Sequence, residues 1–202
     1  MAETPFPLQR QARLAVFASG RGSNLASLLG AFPPSDAEPL AAVRLVISDR
    51  ATAAALERAR AVGVPAAHVP FGRDRERFES GAEALLREHG IDMICLAGFM
   101  RVLSPAFVTR WQGRILNVHP SLLPAFRGLH AQRQALAAGV DVSGCTVHFV
   151  DAGVDTGHVI VQRRVRIEPG DDESALSGRI LDQEHLAYPE AVRLVLRGEV
   201  AP

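Results

Sequence analysis

The sequence predicts an α/β domain, with a mostly parallel sheet covered by helices on both faces. Three observations carry that expectation. Short, continuously apolar runs alternate with helical patterns from about residue 14 onward, as strands buried on both sides do. A glycine turn, GRGSN, follows the first run and opens the first helical stretch. After about residue 143 the alternation gives way to two strand-like runs in succession and then one long helix.

Taken in order, residues 1–12 read as a flexible N-terminal tail, and 13–202 as a single domain. Residues 14–19 form a buried strand and 24–32 a helix that Asn24 can cap. PPSDAEP is a loop, and 43–48 the second strand. A helix over 52–62 is ended by Gly63 and Pro65. A short strand near His68 leads to a charged, amphipathic helix over 74–89. Residues 92–97 are another apolar strand, a helical stretch follows Pro105, and 114–117 are one more strand. Residues 144–150 and 159–167 are strands joined by DAGVDTG, and a last helix covers 173–196. In such sheets ligands bind at the carboxyl ends of the strands. GRGSN, GFMRVLSP and NVHPSLLP all start there.

The chain's 202 residues fit one domain, and 48% apolar content is enough for a substantial core. Its 22 basic and 22 acidic residues cancel, so no global field draws it to nucleic acid or an anionic membrane. All the basic residues are arginine. Lysine nucleophiles, Schiff bases and a P-loop lysine are therefore excluded. Anions must be met by arginine, helix N-termini or backbone amides. Cys95 and Cys145 lie in apolar stretches without zinc-ligand spacing, as buried thiols of a reducing compartment do. The first residues lack the apolar core of a secretory signal, and no apolar run approaches the roughly 20 residues of a membrane span. The expectation is a cytoplasmic protein, monomer or homodimer, with small-molecule partners and no metal, nucleic acid or membrane.

Three segments can carry chemistry. In GRGSN, amides at a helix N-terminus suit a phosphate, with Gly22 permitting close approach and Ser23 and Asn24 adding donors. A plain tight turn and half of a dinucleotide fingerprint remain open, although Leu25 stands where the third glycine of the fingerprint belongs. In NVHPSLLP, Asn117 and His119 are two apart and point the same way from a strand end. An amide donor beside an imidazole suits a carbonyl turning tetrahedral; the alternative is a strand end and a loop cap. DAGVDTG offers Asp151 and Asp155. A carboxylate can orient a histidine or accept a proton from an amine; the alternative is a solvated connection. The histidines at 68, 89, 130, 148, 158 and 185 read as structural or surface residues.

GRGSNL, LAGFMRVLSPAFV, GRILNVHPSLLPAFRGLHAQRQAL, GCTVHFVDAGVDTGHVIVQ and LDQEHLAYPEAVRLV occur in that order. Together they resemble the phosphoribosylglycinamide formyltransferase family of purine biosynthesis, from about residue 13 onward. The N-x-H-P-S-L-L-P segment marks the wider formyltransferase superfamily. The resemblance implies a Rossmann-like formyltransferase fold, with a mostly parallel central sheet and an antiparallel extension near the C-terminus. It implies 10-formyltetrahydrofolate as co-substrate, the amine of phosphoribosylglycinamide as acceptor, and no metal. It assigns catalysis to Asn117, His119 and Asp155. Gly22, Ser23, Asn24 and Glu184 match positions that hold the glycinamide substrate. Arg75, Met100, Arg101, Val102, Leu103, Asn117 and Asp151 match the folate side. The sequence departs from the family pattern at Ala125-Phe126-Arg127, at Gln132, where a second histidine is frequent, and at Thr156, where glycine is usual.

The implied reaction is direct attack of a neutral amine on the formyl carbon. Asn117 and a cationic His119 stabilise the oxyanion, and Asp155 helps move the proton to the leaving folate nitrogen. A 10-formyltetrahydrofolate hydrolase is the nearest rival, and it usually carries an additional N-terminal domain. A methionyl-tRNA formyltransferase usually carries a C-terminal one. A non-catalytic nucleotide-binding module would use GRGSN alone, and a dinucleotide-dependent dehydrogenase would need the missing third glycine.

Overall fold

The computed structural model describes residues 5–35, 38–72 and 74–202. Its elements are β1 (Ala12–Phe17), α1 (Ser23–Ala31), β2 (Ala41–Ser48), α2 (Ala54–Ala61), β3 (Ala66–His68), α3 (Arg75–Glu88) and β4 (Met93–Leu96). They continue with α4 (Pro105–Arg110), β5 (Ile115–His119), α5 (Ala131–Ala137), β6 (Val142–Phe149), β7 (Val159–Arg166) and α6 (Glu173–Leu196). The seven strands form one sheet in the order β3-β2-β1-β4-β5-β6-β7. β1 to β5 run parallel, β6 pairs antiparallel with β5, and β7 pairs antiparallel with β6. The chain runs outward from β1 to β3, then returns to place β4 on the other side of β1. A cleft opens at such a reversal of strand order, at the carboxyl ends.

Alternate residues of each central strand feed opposite faces. Leu14 and Val16 of β1, with Met93 and Cys95 of β4, pack under α1, α2 and α6. Ala15, Phe17, Ile94 and Leu96 pack under α3 and α4 with Phe78, Leu86 and Phe107. Burial on both faces is why these strands read as unbroken apolar runs. Tyr188 of α6 is fully buried, and its hydroxyl reaches the carbonyls of Leu96 and Leu116, both at 3.0 Å. It ties the long helix to β4 and β5 just below their functional ends.

Four features depart from the sequence reading. Asn24 does not cap α1; Gly22 holds the cap position at φ 75, with no side-chain cap bond. α5 is an unexpected helix, short and carrying three polar residues in succession, whose Ala131 and Ala135 are buried. β5 extends to His119, so the histidine is still part of the strand. Residues 5–12 are not loose: Phe6 is 7% exposed in the core cluster, and Arg10 makes a two-pronged ion pair with Asp92 at 2.7 and 2.8 Å. Residues 1–4 of the expected tail lie outside the described residues.

Candidate active site

The larger cleft, about 540 Å³, opens at the carboxyl ends of β4 and β5. That volume lies in the range of small-molecule sites. Met100, Val102 and Leu103 form an apolar wall of it, and Asn117, His119 and Asp155 line it as well. A second cavity, about 360 Å³, lies under the N-terminal segment between Leu8, Leu40 and Leu196, and among the described residues no histidine or carboxylate lines it.

Strand register builds the reactive cluster. Asn117 of β5 pairs directly with His148 of β6, and His119 with Thr146. The Asn117 amide therefore meets His148 Nε2 at 3.2 Å, while His148 Nδ1 meets the Phe149 carbonyl at 2.7 Å. His119 Nδ1 lies 3.3 Å from Asp155 Oδ2, and its Nε2 is 2.9 Å from the Phe126 carbonyl. Both ring nitrogens of His119 thus face acceptors, and only the doubly protonated ring donates to both. His148 Nε2 also lies 3.7 Å from Asp155 Oδ1, too long for a hydrogen bond but close for a charge contact. A neutral His148 accepts from Asn117 at that nitrogen; a cationic one turns an N–H to Asp155.

Asp155 sits in the loop after β6 with φ 53. Gly157 makes the loop possible, because a Cβ there would run into the Phe149 carbonyl. Asp151 Oδ1 closes the same loop, accepting from the Gly153 amide at 3.1 Å and the Thr156 hydroxyl at 2.7 Å. Burial alone would push the Asp155 carboxyl up. The approach of His148, the hydrogen bond from the Gly128 amide (2.9 Å) and the charge of His119 outweigh burial and hold it below the usual carboxylate range.

A second group stands at the N-terminus of α1. Gly22 adopts a left-handed conformation, and a Cβ there would meet Ala55 Cα and Cβ at 3.0 Å. The glycine is thus demanded by packing on α2 as well as by the turn. Asn24 Nδ2 donates to Glu184 Oε2 of α6 at 2.6 Å, and Asn24 Oδ1 is buried without a partner. Burial raises the Glu184 carboxyl, and the bond from Asn24 only partly offsets it.

Of the residues singled out from the sequence, Asn117, His119, Asp155, Asp151, Met100, Arg101, Val102 and Leu103 line one cleft. Gly22, Ser23, Asn24 and Glu184 do not line it and form the second group. Arg75 is the exposed first residue of α3 and does not line the cleft either. Arg101 lines the cleft, but its Nε is bound to Asp49 Oδ2 at 2.7 Å. His148 and Asp49 were missed. Only the β5–β6 register reveals His148, and only the end of β2 reveals Asp49. Among the described residues, no group of three or more His, Cys, Asp or Glu is placed to hold a metal ion. Nor is any described helix long and apolar enough to cross a membrane.

The formyl transferase family model matches residues 12–192. The chain is 42% identical over 179 residues to phosphoribosylglycinamide formyltransferase of Escherichia coli (strain K12), covering 87% of this chain and 83% of that protein. It is 49% identical over 193 residues to the trifunctional purine biosynthetic protein adenosine-3 of Drosophila melanogaster, covering 94% of this chain but only 14% of that longer protein. The solved glycinamide ribonucleotide transformylase 1 of Symbiobacterium toebii superposes with a TM-score of 0.86 at 47% identity, over 93% of this chain and 89% of that one.

Proposed function

This chain belongs to the formyl transferase family, and on that premise we propose that it transfers the formyl group of 10-formyltetrahydrofolate to the amine of phosphoribosylglycinamide. The observation that carries the reading is the cluster of Asn117, His119 and Asp155 in one cleft with the apolar Met100, Val102 and Leu103. The acceptor amine has a free pKa of about 8 and attacks the formyl carbon as the neutral base. The carbonyl oxygen gains charge as the carbon becomes tetrahedral. Asn117 donates to it from Nδ2, and cationic His119 stabilises it through space or by exchanging the Phe126 carbonyl for the oxyanion at Nε2. Loss of one such donor costs about 2.7–4 kcal/mol of barrier. Asp155 holds the imidazolium by Nδ1 and, through water, moves the amine proton to the leaving folate nitrogen.

The wall of Met100, Val102 and Leu103 packs the pterin, whose edge hydrogen-bonds strand-end backbone groups; Arg101 and Asp151 complete the folate side of the cleft, and Arg75, which lies outside it, is left to the part of the folate that projects beyond its mouth. Gly22 and Ser23 receive the ribose phosphate on the amides that open α1. The free Oδ1 of Asn24 and the carboxylate of Glu184 are acceptors for the donors of the glycinamide ribose. A purine pathway step, a cytoplasmic setting, a monomer or homodimer and catalysis without metal belong to the same proposal. The dinucleotide reading is disfavoured by Asp49. It stands at the end of β2, where a dinucleotide-binding acid meets a ribose, but its carboxylate is buried against Arg101.

One assay separates the readings: folate product formed from 10-formyltetrahydrofolate, with and without phosphoribosylglycinamide. Turnover that needs the amine supports transfer. Equal turnover without it makes the chain a hydrolase.

A further inference from the structure

The loop that forms the apolar wall is held from beneath by buried polar groups on three separate elements. Ser19, just past β1, accepts from the Met100 amide at 2.9 Å and donates its own amide to the Gly98 carbonyl at 3.1 Å. Glu79 of α3 is 5% exposed and accepts from both the Ser104 amide and hydroxyl, each at 2.6 Å. Asp49, just past β2, has a side chain with no exposure and takes Arg101 Nε at 2.7 Å. The Ser19 and Glu79 bonds fix the two ends of the loop. The Asp49 bond fixes one side chain in its middle.

That bond makes little sense as a stabiliser. The carboxylate is fully desolvated against a guanidinium that is still partly in water, which barely offsets the cost of burying it, and Asp49 Oδ1 is buried with no hydrogen-bond partner among the described residues. What the pair supplies is direction. Asp49 holds the Nε edge, Phe71 lies under the guanidinium at 5.0 Å, and Nη1 and Nη2 make no hydrogen bond to any described residue. Arg101 is 38% exposed and lines the cleft. A guanidinium held by one edge and one face, with two adjacent N–H groups left over, matches a carboxylate. Its rotamer freedom is already spent before a ligand arrives.

We propose that Asp49 is a positioning residue for the donor: by holding Arg101 it presents Nη1 and Nη2 as a fixed clamp for a carboxylate on the glutamate tail of the folate. This rests on the reading of the cleft as the folate site. Asp49 touches no substrate itself, and it sets affinity for the donor's tail and not for its pterin or for the amine.

The test is calorimetry with tetrahydrofolate and with tetrahydropteroate, the same molecule without glutamate, under oxygen-free conditions. Wild type should bind tetrahydrofolate more tightly. Asp49→Leu should weaken tetrahydrofolate about 10-fold, in keeping with one ordered charged hydrogen bond, and tetrahydropteroate less than about 2-fold by the same reasoning. Its KM for the amine should not move. Asp49→Asn keeps an acceptor for Nε and serves if the leucine variant does not fold; it should recover part of the selective loss. Equal weakening of both ligands, or of neither, overturns the role of Asp49. Wild type that binds the two ligands equally overturns the clamp while leaving the folate cleft standing. Wild type that binds neither overturns the folate reading itself.

Discussion

At the scale of single residues, the pairing of Asp155 with His119 is the feature on which the proposed chemistry turns. Asp155→Asn keeps the shape of the loop but removes the charge opposite Nδ1. We expect kcat to fall about 100-fold with small changes in either KM, because the charge matters most in the transition state. Combining it with His119→Ala should cost much less than the product of the single losses, since the two act as a unit. Steady-state kinetics of the three variants checks this, and fully multiplicative losses would count against the pair. The same carboxyl carries a pH signature. Its native value is depressed, so its stabilisation is complete above the unfolded carboxylate value of about 3.9 and fades as pH falls through the native value. Urea titrations should show a constant gap between wild type and Asp155→Asn at neutral pH that closes only in acid below that value. The grouping of Asn117, His119 and Asp155 was legible through the family resemblance, because residue type and spacing alone left a strand end, a loop cap and a solvated loop carboxylate open. His148 was not, since a histidine in an alternating apolar strand looks like core until its cross-strand partner is known.

At the scale of elements, the glycine turn before α1 behaves differently from what its motif suggests. Gly22 was read as a position where a phosphate approaches, yet φ 75 and the 3.0 Å proximity of Ala55 make it a packing position too. Gly22→Val should therefore lower stability, by about 1–3 kcal/mol for overpacking plus the strain of a branched side chain at positive φ. Any change in acceptor KM in that variant is confounded. Ser23→Ala is the cleaner probe: Tm unchanged, acceptor KM raised severalfold and donor KM untouched. A Ser23→Ala enzyme with the wild-type acceptor KM places the phosphate elsewhere. The long helix α6 was legible to its ends, with Asp172 capping it through the Ala175 amide at 2.7 Å. The short α5 was not. It buries only alanines and is held by tertiary packing, so it carries no periodic signal.

At the scale of the whole molecule, the order of strands and helices was legible because two-sided burial writes apolar runs into β1, β2 and β4. The packing of residues 5–12 was not. One phenylalanine and one leucine among prolines and polar residues have no period, and their partners lie far along the chain. Pro7, for instance, stands where a Cβ on Gly198, beyond the end of α6, would meet it at 3.0 Å. Cys95 and Cys145 sit between the sheet and α6, and burial pushes both thiols up to about 12. Almost no thiolate exists at neutral pH, and no reagent reaches the sulfurs while α6 is seated. Incubation with a chromogenic disulfide should leave both unmodified in the native protein and react at once in denaturant. Rapid labelling of either thiol without denaturant would contradict that burial. The two sulfurs are in effect a built-in clock: each labelling event marks a moment when the long helix has lifted from the sheet, and bound substrates should slow its ticking.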